Sequence, residues 1–236
     1  MLEMMSQVNS TVQLFDVASA LQEQLAKLVV SSNTLWRFVE ELQGLGPLFL
    51  FGGAIRDTFH SMLYEDVEIS DFDFVLDSDV LPCGDNIERN SFGGCKTFLA
   101  DGTKVDVWLL KDTYAFKVGQ FQKEYGQLPN TAVFSINACI YNVANGEFVE
   151  SGFFESILER RISFTCTDYL YDFPELQAIR VFNYVSKLKY DLDAEVEGFV
   201  RNVVSSQSMD SFLANLNKSS KRYDVENIGR LYRQYS

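Results

Sequence analysis

The sequence predicts a sheet domain of the α/β or α+β class, with helices before and after it in the chain. Three observations predict this. "DFDFVLD" at 71–77 and "KVDVWLL" at 104–110 alternate acidic or basic with apolar residues, as half-buried strands do. "PLFLF" at 47–51 is short, apolar and bounded by Gly46 and Gly52, as a buried strand would be. After Thr167 the apolar spacing returns to the helical period of about 3.6 residues. The chain has 236 residues and 47% apolar content, enough for one large domain or two small ones. Its 14% aromatic content, with 20 Phe and 11 Tyr, predicts a core rich in ring-on-ring packing.

Taken in order, residues 11–43 carry Val12, Leu14, Phe15, Ala18, Leu21, Leu25, Leu28 and Val29 at helical spacing. Ser32 or Asn33 can cap a second helix bearing Leu35, Phe38, Val39 and Leu42. The strand at 47–51 leads into a helix from about Ala54 to Leu63. Residues 78–94, with Pro82, Gly84, Asn90, Gly93 and Gly94, read as loop or hairpin. "TAVFSINACIYNV" reads as a further strand, followed by an Asn145-Gly146 turn and a return strand in "NGEFVES". Helices are expected over 174–190, 194–205, 209–217 and 224–235. The resulting division is N-terminal helices over 1–46, a sheet domain over 47–167 and a helical region over 168–236.

Composition narrows the partners. A net charge of −13 repels nucleic-acid phosphates and disfavours broad, sequence-independent DNA or RNA binding. Locally, Lys218, Lys221, Arg222, Arg230 and Arg233 face only Asp224 and Glu226, which suits a solvated helix face or a partner site alike. Cys83, Cys95, Cys139 and Cys166 lack CxxC spacing and His60 is the sole histidine, so no zinc site is expected and the thiols read as reduced and mostly buried. His60 itself reads as a partly buried, neutral residue without a catalytic part. Without a basic-then-apolar leader or 18 consecutive apolar residues, the expectation is a cytoplasmic protein.

Chemistry concentrates in two places. In "LFLFGGAIRDTFH", Gly52 and Gly53 stand between a buried strand and a helix. The pair either satisfies a steric turn or seats a phosphate on the helix N-terminus. Asp71 and Asp73, one residue apart on a strand, point the same way about 7 Å apart. Hard carboxylate oxygens so placed suit magnesium, and Asp106 on another strand can supply a third. The alternative is a solvent-facing acidic strand face. Phe72, Phe74 and Val75 are expected to pack one side, leaving the acids alone on the other.

"FGGAIRD" followed by "DFDFVL" resembles the head-domain motif of the poly(A) polymerase and class II tRNA nucleotidyltransferase (CCA-adding) family, within the DNA polymerase beta-like nucleotidyltransferase superfamily. Downstream, "VFSINACIYNVANGEFVES" resembles the family's "DFTINAMAYD" stretch, "ILERRISF" the segment closing the head, and "IRVFNYVSKLKYDLD" the neck helix ending in "RFAAKLGF". Together the motifs cover about residues 47–195. The resemblance implies an α+β fold with a mixed-sheet head and a helical neck-like region. It further implies Mg²⁺ (or Mn²⁺) held by Asp71 and Asp73 with Asp106 as third carboxylate, and an NTP such as ATP as substrate. Gly52 and Gly53 would meet its phosphates, and Arg56 would fork to a phosphate or hold the acid-bearing strand. Asp57 would orient Arg56 or cap the helix.

Departures are equally specific. Thr131, Ala132 and Val133 stand where the family has two arginines and an aspartate, and Pro174 and Gln177 where "EDxxR" presents its base-reading Asp and Arg. Arg160 and Arg161 could face the triphosphate or form structural ion pairs, and Asn137 is expected to bond a neighbouring backbone. Little chain follows the neck to grip a tRNA. The reading is therefore a metal-dependent nucleotidyltransferase that moves a nucleoside monophosphate to a hydroxyl acceptor (an RNA 3′ end, a protein side chain or a small molecule) and releases pyrophosphate. Two others stay open: an RNA-tailing or CCA-type enzyme using other base contacts, and a degenerate nucleotide- or partner-binding module, such as part of a defence or toxin–antitoxin pair.

Overall fold

The computed structural model describes residues 2–81, 88–89, 94–119, 121–219 and 224–236, with side chains from 16 onward except at 88, 89 and 215–219. The chain opens with α1 (Leu2–Ser31) and α2 (Asn33–Gln43). Leu21, Leu25 and Val29 form one buried stripe on α1, and Leu35, Val39 and Leu42 another on α2, as the spacing predicts. Each such buried side chain contributes about 1.5–3 kcal/mol. Ser32 is the cap of α2, its hydroxyl accepting from the Leu35 amide at 3.2 Å.

β1 (Leu48–Phe51) and α3 (Gly53–Leu63) follow, then β2 (Phe72–Leu76), β3 (Glu88–Arg89), β4 (Cys95–Phe98) and β5 (Lys104–Leu109). A short α4 (Tyr114–Lys117) precedes β6 (Cys139–Asn142) and β7 (Phe148–Glu150), with the turn at Asn145-Gly146 where expected. Among the described residues seven strands form one sheet, in the order β3-β4-β5-β2-β1-β6-β7. Neighbours run antiparallel except β2 and β5, which run parallel, so the sheet is mixed.

Beyond α5 (Phe153–Leu158), β8 (Arg161–Ile162) pairs in parallel with β9 (Asp191–Leu192). Between them lies α6 (Pro174–Leu188), which packs on α7 (Ala194–Ser205), α8 (Met209–Ser219) and α9 (Val225–Tyr235). Pro174 starts α6 where its missing N–H has no helical partner. Asp193 and Asp224 cap α7 and α9 by accepting from first-turn amides. Among the described residues no helix is long and apolar enough to cross a membrane.

The two faces of the sheet differ. Leu48 and Leu50, Phe72 and Phe74, and Val105 and Val107 enter the main core beneath the helices. Phe49, Val75 and Ile140 enter a smaller cluster closed by Leu110, Phe116 and Leu128 of the β5–β6 connection. Val75 thus shares the face of Asp73 rather than that of the phenylalanines, because side chains alternate along a strand. The acid face is apolar at its far end, which corrects the expectation that the acids occupy it alone.

Two further corrections concern boundaries. The strand expected over 71–77 begins at Phe72, with Asp71 immediately before it. "TAVFSINACIYNV" is a strand only in its second half. Pro129–Thr131 and Ser135–Asn137 are 3-10 turns, because Ser135 turns aside to accept from and donate to Ser163, and Val133, Phe134 and Ile136 bury themselves from that turn. Of the expected loop or hairpin at 78–94, the described part includes β3, which pairs antiparallel with β4 just beyond it. Pro82, Cys83, Gly84, Asn90 and Gly93 lie outside the described residues. Cys95, Cys139 and Cys166 are buried, as expected of the thiols.

Candidate active site

The two glycines serve different needs. Gly52 sits at φ +57°, and a Cβ there would lie 3.2 Å from the Asn137 carbonyl oxygen. Its amide donates to Cys139 O at 2.9 Å, so Gly52 is bound into the sheet rather than presented to a phosphate, contrary to its expected role. Gly53 opens α3, and its amide belongs to the first turn, whose donors the helix itself cannot satisfy. A Cβ on Gly53 would come 3.9 Å from Asp73 Oδ2. Arg56 Nη2 lies 4.0 Å from the same point, so the bare glycine leaves the approach to both groups clear of a methyl.

Asp73 and Asp106 stand directly in register across the parallel β2–β5 pair. Both are half-buried, as is Asp71 two residues upstream of Asp73. Neighbouring strands are about 4.8 Å apart, so the two carboxylates share one face at close quarters. Lys96 continues the row on β4, opposite Asp106, with Nζ 3.6 Å from Asp106 Oδ2. Among the described residues no three acidic, histidine or cysteine side chains converge as a ready metal cage. The donors on offer are hard oxygens on a half-open face beneath the bare Gly53, a set that fits magnesium or manganese.

Arg56 and Asp57 of α3 form a buried ion pair. Arg56 is 7% exposed. Its Nε donates to Asp57 Oδ1 at 2.9 Å, its other nitrogens reach Asp57 Oδ1 at 2.8 Å and Asn137 Oδ1 at 2.6 Å, and its guanidinium lies 5.0 Å over the Tyr184 ring. Burial works against its charge, but the charge and hydrogen bond of Asp57, with Tyr184 and Tyr190 adding to them, hold its pKa above the ordinary value. It clamps its own helix and the Asn137 turn, and its Nη2 comes within 4.0 Å of the point above Gly53 that Asp73 Oδ2 approaches to 3.9 Å. Asp57 orients Arg56, as one expected reading had it, and also accepts from Lys187 Nζ of α6 at 2.7 Å. Asn137 bonds side chains, not the neighbouring backbone expected of it: it accepts from Arg56 and donates to the Tyr184 hydroxyl at 2.8 Å.

Beside the acid row lies a cavity of about 380 Å³. Phe51, Trp108, Tyr114, Tyr169, Phe173 and Tyr184 give it aromatic walls, and Gln177 and Arg180 of α6 add polarity. It connects to the row through the chain: Phe51 precedes Gly52, and Trp108 is two residues beyond Asp106 on the same half-open face. Gln177 is 3% exposed and accepts from Arg180 at 3.2 Å. Sequence reasoning found Gln177 only as a departure and missed the aromatic wall. Thr131, Ala132 and Val133, the other departure, also line this cavity.

His60 is fully buried rather than partly, with Nδ1 2.8 Å from the Tyr190 hydroxyl and Nε2 without a hydrogen-bond partner. Burial lowers its pKa against the opposing pull of Glu65 and Asp57, with Arg160 and Arg56 adding to the lowering. A depressed histidine leaves the folded state unprotonated while the unfolded chain takes up a proton near pH 6.5. Its contribution is therefore intact above about pH 6.5 and lost as pH falls below it. The expected result is that His60→Gln shrinks the drop in melting temperature between about pH 7.5 and about pH 5.5, measured by circular dichroism. An unchanged drop would refute this assignment. Arg160 lies over Tyr64 and Tyr190, and Arg161 pairs with Glu159 at 3.5 Å, so both take structural partners. Of the C-terminal basic group, Arg230 and Arg233 are exposed, while the side chains of Lys218, Lys221 and Arg222 lie outside those described.

No family model matches the chain, and no curated protein matches its sequence. Solved structures match its fold. A CCA-adding enzyme in complex with ATP aligns at TM-score 0.62 and 16% identity over 90% of this chain and 53% of its own. The Thermotoga maritima CCA-adding enzyme complexed with tRNA aligns at TM-score 0.54 and 16% identity, over 80% and 46%. A tRNA-processing enzyme without ligand aligns at 0.58 and 18%, over 86% and 57%. The chain spans about half the length of these enzymes. At such identities the likeness establishes architecture: the chain has the α+β fold of the CCA-adding enzymes, with its mixed sheet and surrounding helices.

Proposed function

We propose that the chain is a metal-dependent nucleotidyltransferase that moves a nucleoside monophosphate from an NTP to a hydroxyl acceptor and releases pyrophosphate. One observation carries the reading: Asp73 and Asp106 in register on parallel strands, beneath the bare Gly53 at the head of α3 and beside an aromatic cavity. The solved structures lend support, since the CCA-adding enzyme was captured with ATP and with CTP. In this reading residues 47–167 are the head, 1–46 helices packed on it, and 168–236 a neck-like region.

Asp71 and Asp73 hold the divalent ion, with Asp106 as the third carboxylate. When bound, the ion supplies charge neutralisation for the phosphates and lowers the pKa of an attacking hydroxyl. The first-turn amide of Gly53 and the dipole of α3 favour phosphate at that end. Arg56 and Asp57 act at one remove, by fixing α3 and the Asn137 turn. The aromatic walls suit a planar base. Gln177 and Arg180 offer an amide and a guanidinium to its polar edge in place of the family's Asp and Arg.

Incubation with each radiolabelled NTP, Mg²⁺, and total RNA, protein or small-molecule extract tests the proposal. Label is expected to move to an acceptor from at least one NTP and only with the metal. Failure of transfer from every NTP overturns it. Should an NTP still raise the melting temperature in that case, the module that binds nucleotide without turnover takes its place.

A further inference from the structure

Resting on that reading, we infer that Lys96 is a standing cation of the acid row and sets how tightly the site binds a divalent metal. The registers Lys96↔Asp106 and Asp73↔Asp106 place an ammonium and two carboxylates in one line across β4, β5 and β2. The Lys96 and Asp106 side chains are 30% and 18% exposed. An ion pair that open to water contributes at most about 1 kcal/mol to folding, so fold stability does not account for a lysine at this place. Its electrostatic effect is local. Asp71, Asp73 and Asp106 bring three carboxylates to one face, and the Lys96 ammonium offsets part of their mutual repulsion through Asp106.

Lys96 therefore competes with the metal for Asp106. A metal ion entering the row must either share it with the ammonium or displace it. The long, flexible lysine stem permits displacement, since Nζ is a point charge that keeps water or another anion as partner once it leaves the carboxylate. A unit charge and a divalent charge about 7 Å apart in a water-like dielectric repel by about a tenfold change in binding constant.

Mn²⁺ binding to the whole chain without nucleotide, followed by electron paramagnetic resonance, tests this. Lys96→Gln and Lys96→Met are expected to bind Mn²⁺ about tenfold more tightly than the natural protein, whereas Lys96→Arg stays close to it. Asp73→Asn is expected to abolish binding. Circular dichroism melts establish that each variant is folded, and having two neutral variants guards against one that is not. Should the natural protein bind Mn²⁺ in an Asp73-dependent way while folded Lys96→Gln and Lys96→Met bind no more tightly, the inference about Lys96 falls alone. Should neither the natural protein nor any variant bind Mn²⁺, it falls together with the metal-dependent reading.

Discussion

Replacing Asp73 with asparagine is expected to lower nucleotidyl transfer by about 10³-fold or more, the several kcal/mol that a bound metal ion contributes to such a transition state. Asp73 is the carboxylate that faces both the bare Gly53 and, across the strand pair, Asp106. Asparagine keeps the shape and one oxygen but loses the charge that holds a hard cation. Asparagine keeps a hydrogen-bonding group of the same shape at this half-buried position, so the fold is expected to survive. Single-turnover label transfer and a melting curve on the same preparation check both halves. Transfer within tenfold of the natural protein would remove Asp73 from the site.

Asp57→Ala is expected to cost about 3–5 kcal/mol of folding stability, the usual penalty when one member of a buried charge cluster is deleted and its partners stay behind. Asp57 accepts from Arg56 through one oxygen and from Lys187 through the other, and its side chain is 4% exposed. Without it the largely buried Arg56 guanidinium keeps the Asn137 oxygen and the Tyr184 ring but loses its paired carboxylate. Lys187→Ala should cost less, since that ammonium is 21% exposed and water can replace it. Urea unfolding midpoints measure both. A loss under about 1 kcal/mol for Asp57→Ala would show that the cluster holds nothing together.

The parts of this fold that the sequence shows are those with a period. Leu21, Leu25 and Val29, and Leu35, Val39 and Leu42, sit at helical spacing with a serine at the second helix start, and each lies where that spacing puts it. "LFLF" and its glycines are as plain, since glycine follows from backbone geometry that no other residue meets so easily. The direction of Arg56 has no such signal. Whether a charged residue behind a glycine pair faces a ligand or the interior depends on Asn137, 81 residues away, and on Tyr184 from α6. The aromatic cavity is hidden for the same reason, its walls coming from β1, β5, α4 and α6. The place of Lys96 is hidden too: a two-residue turn at Asp101-Gly102 would set it opposite Val107, and only the longer loop closed by the Leu99 amide on Thr103 O sets it opposite Asp106.

Asn137 gives the molecule an uneven tolerance to sequence change. Its carbonyl oxygen limits what can stand at Gly52, its amide oxygen holds Arg56, and its amide nitrogen holds the Tyr184 hydroxyl on the cavity wall. Trp108 or Thr131 can drift and reshape the cavity while the glycine turn keeps its geometry. A side-chain change at Asn137 leaves its carbonyl in place but must re-solve two contacts at once, one to α3 and one to α6. Selection for a new ligand is thus free to rework the walls one residue at a time, but it meets a fixed point where the walls join the acid-bearing end.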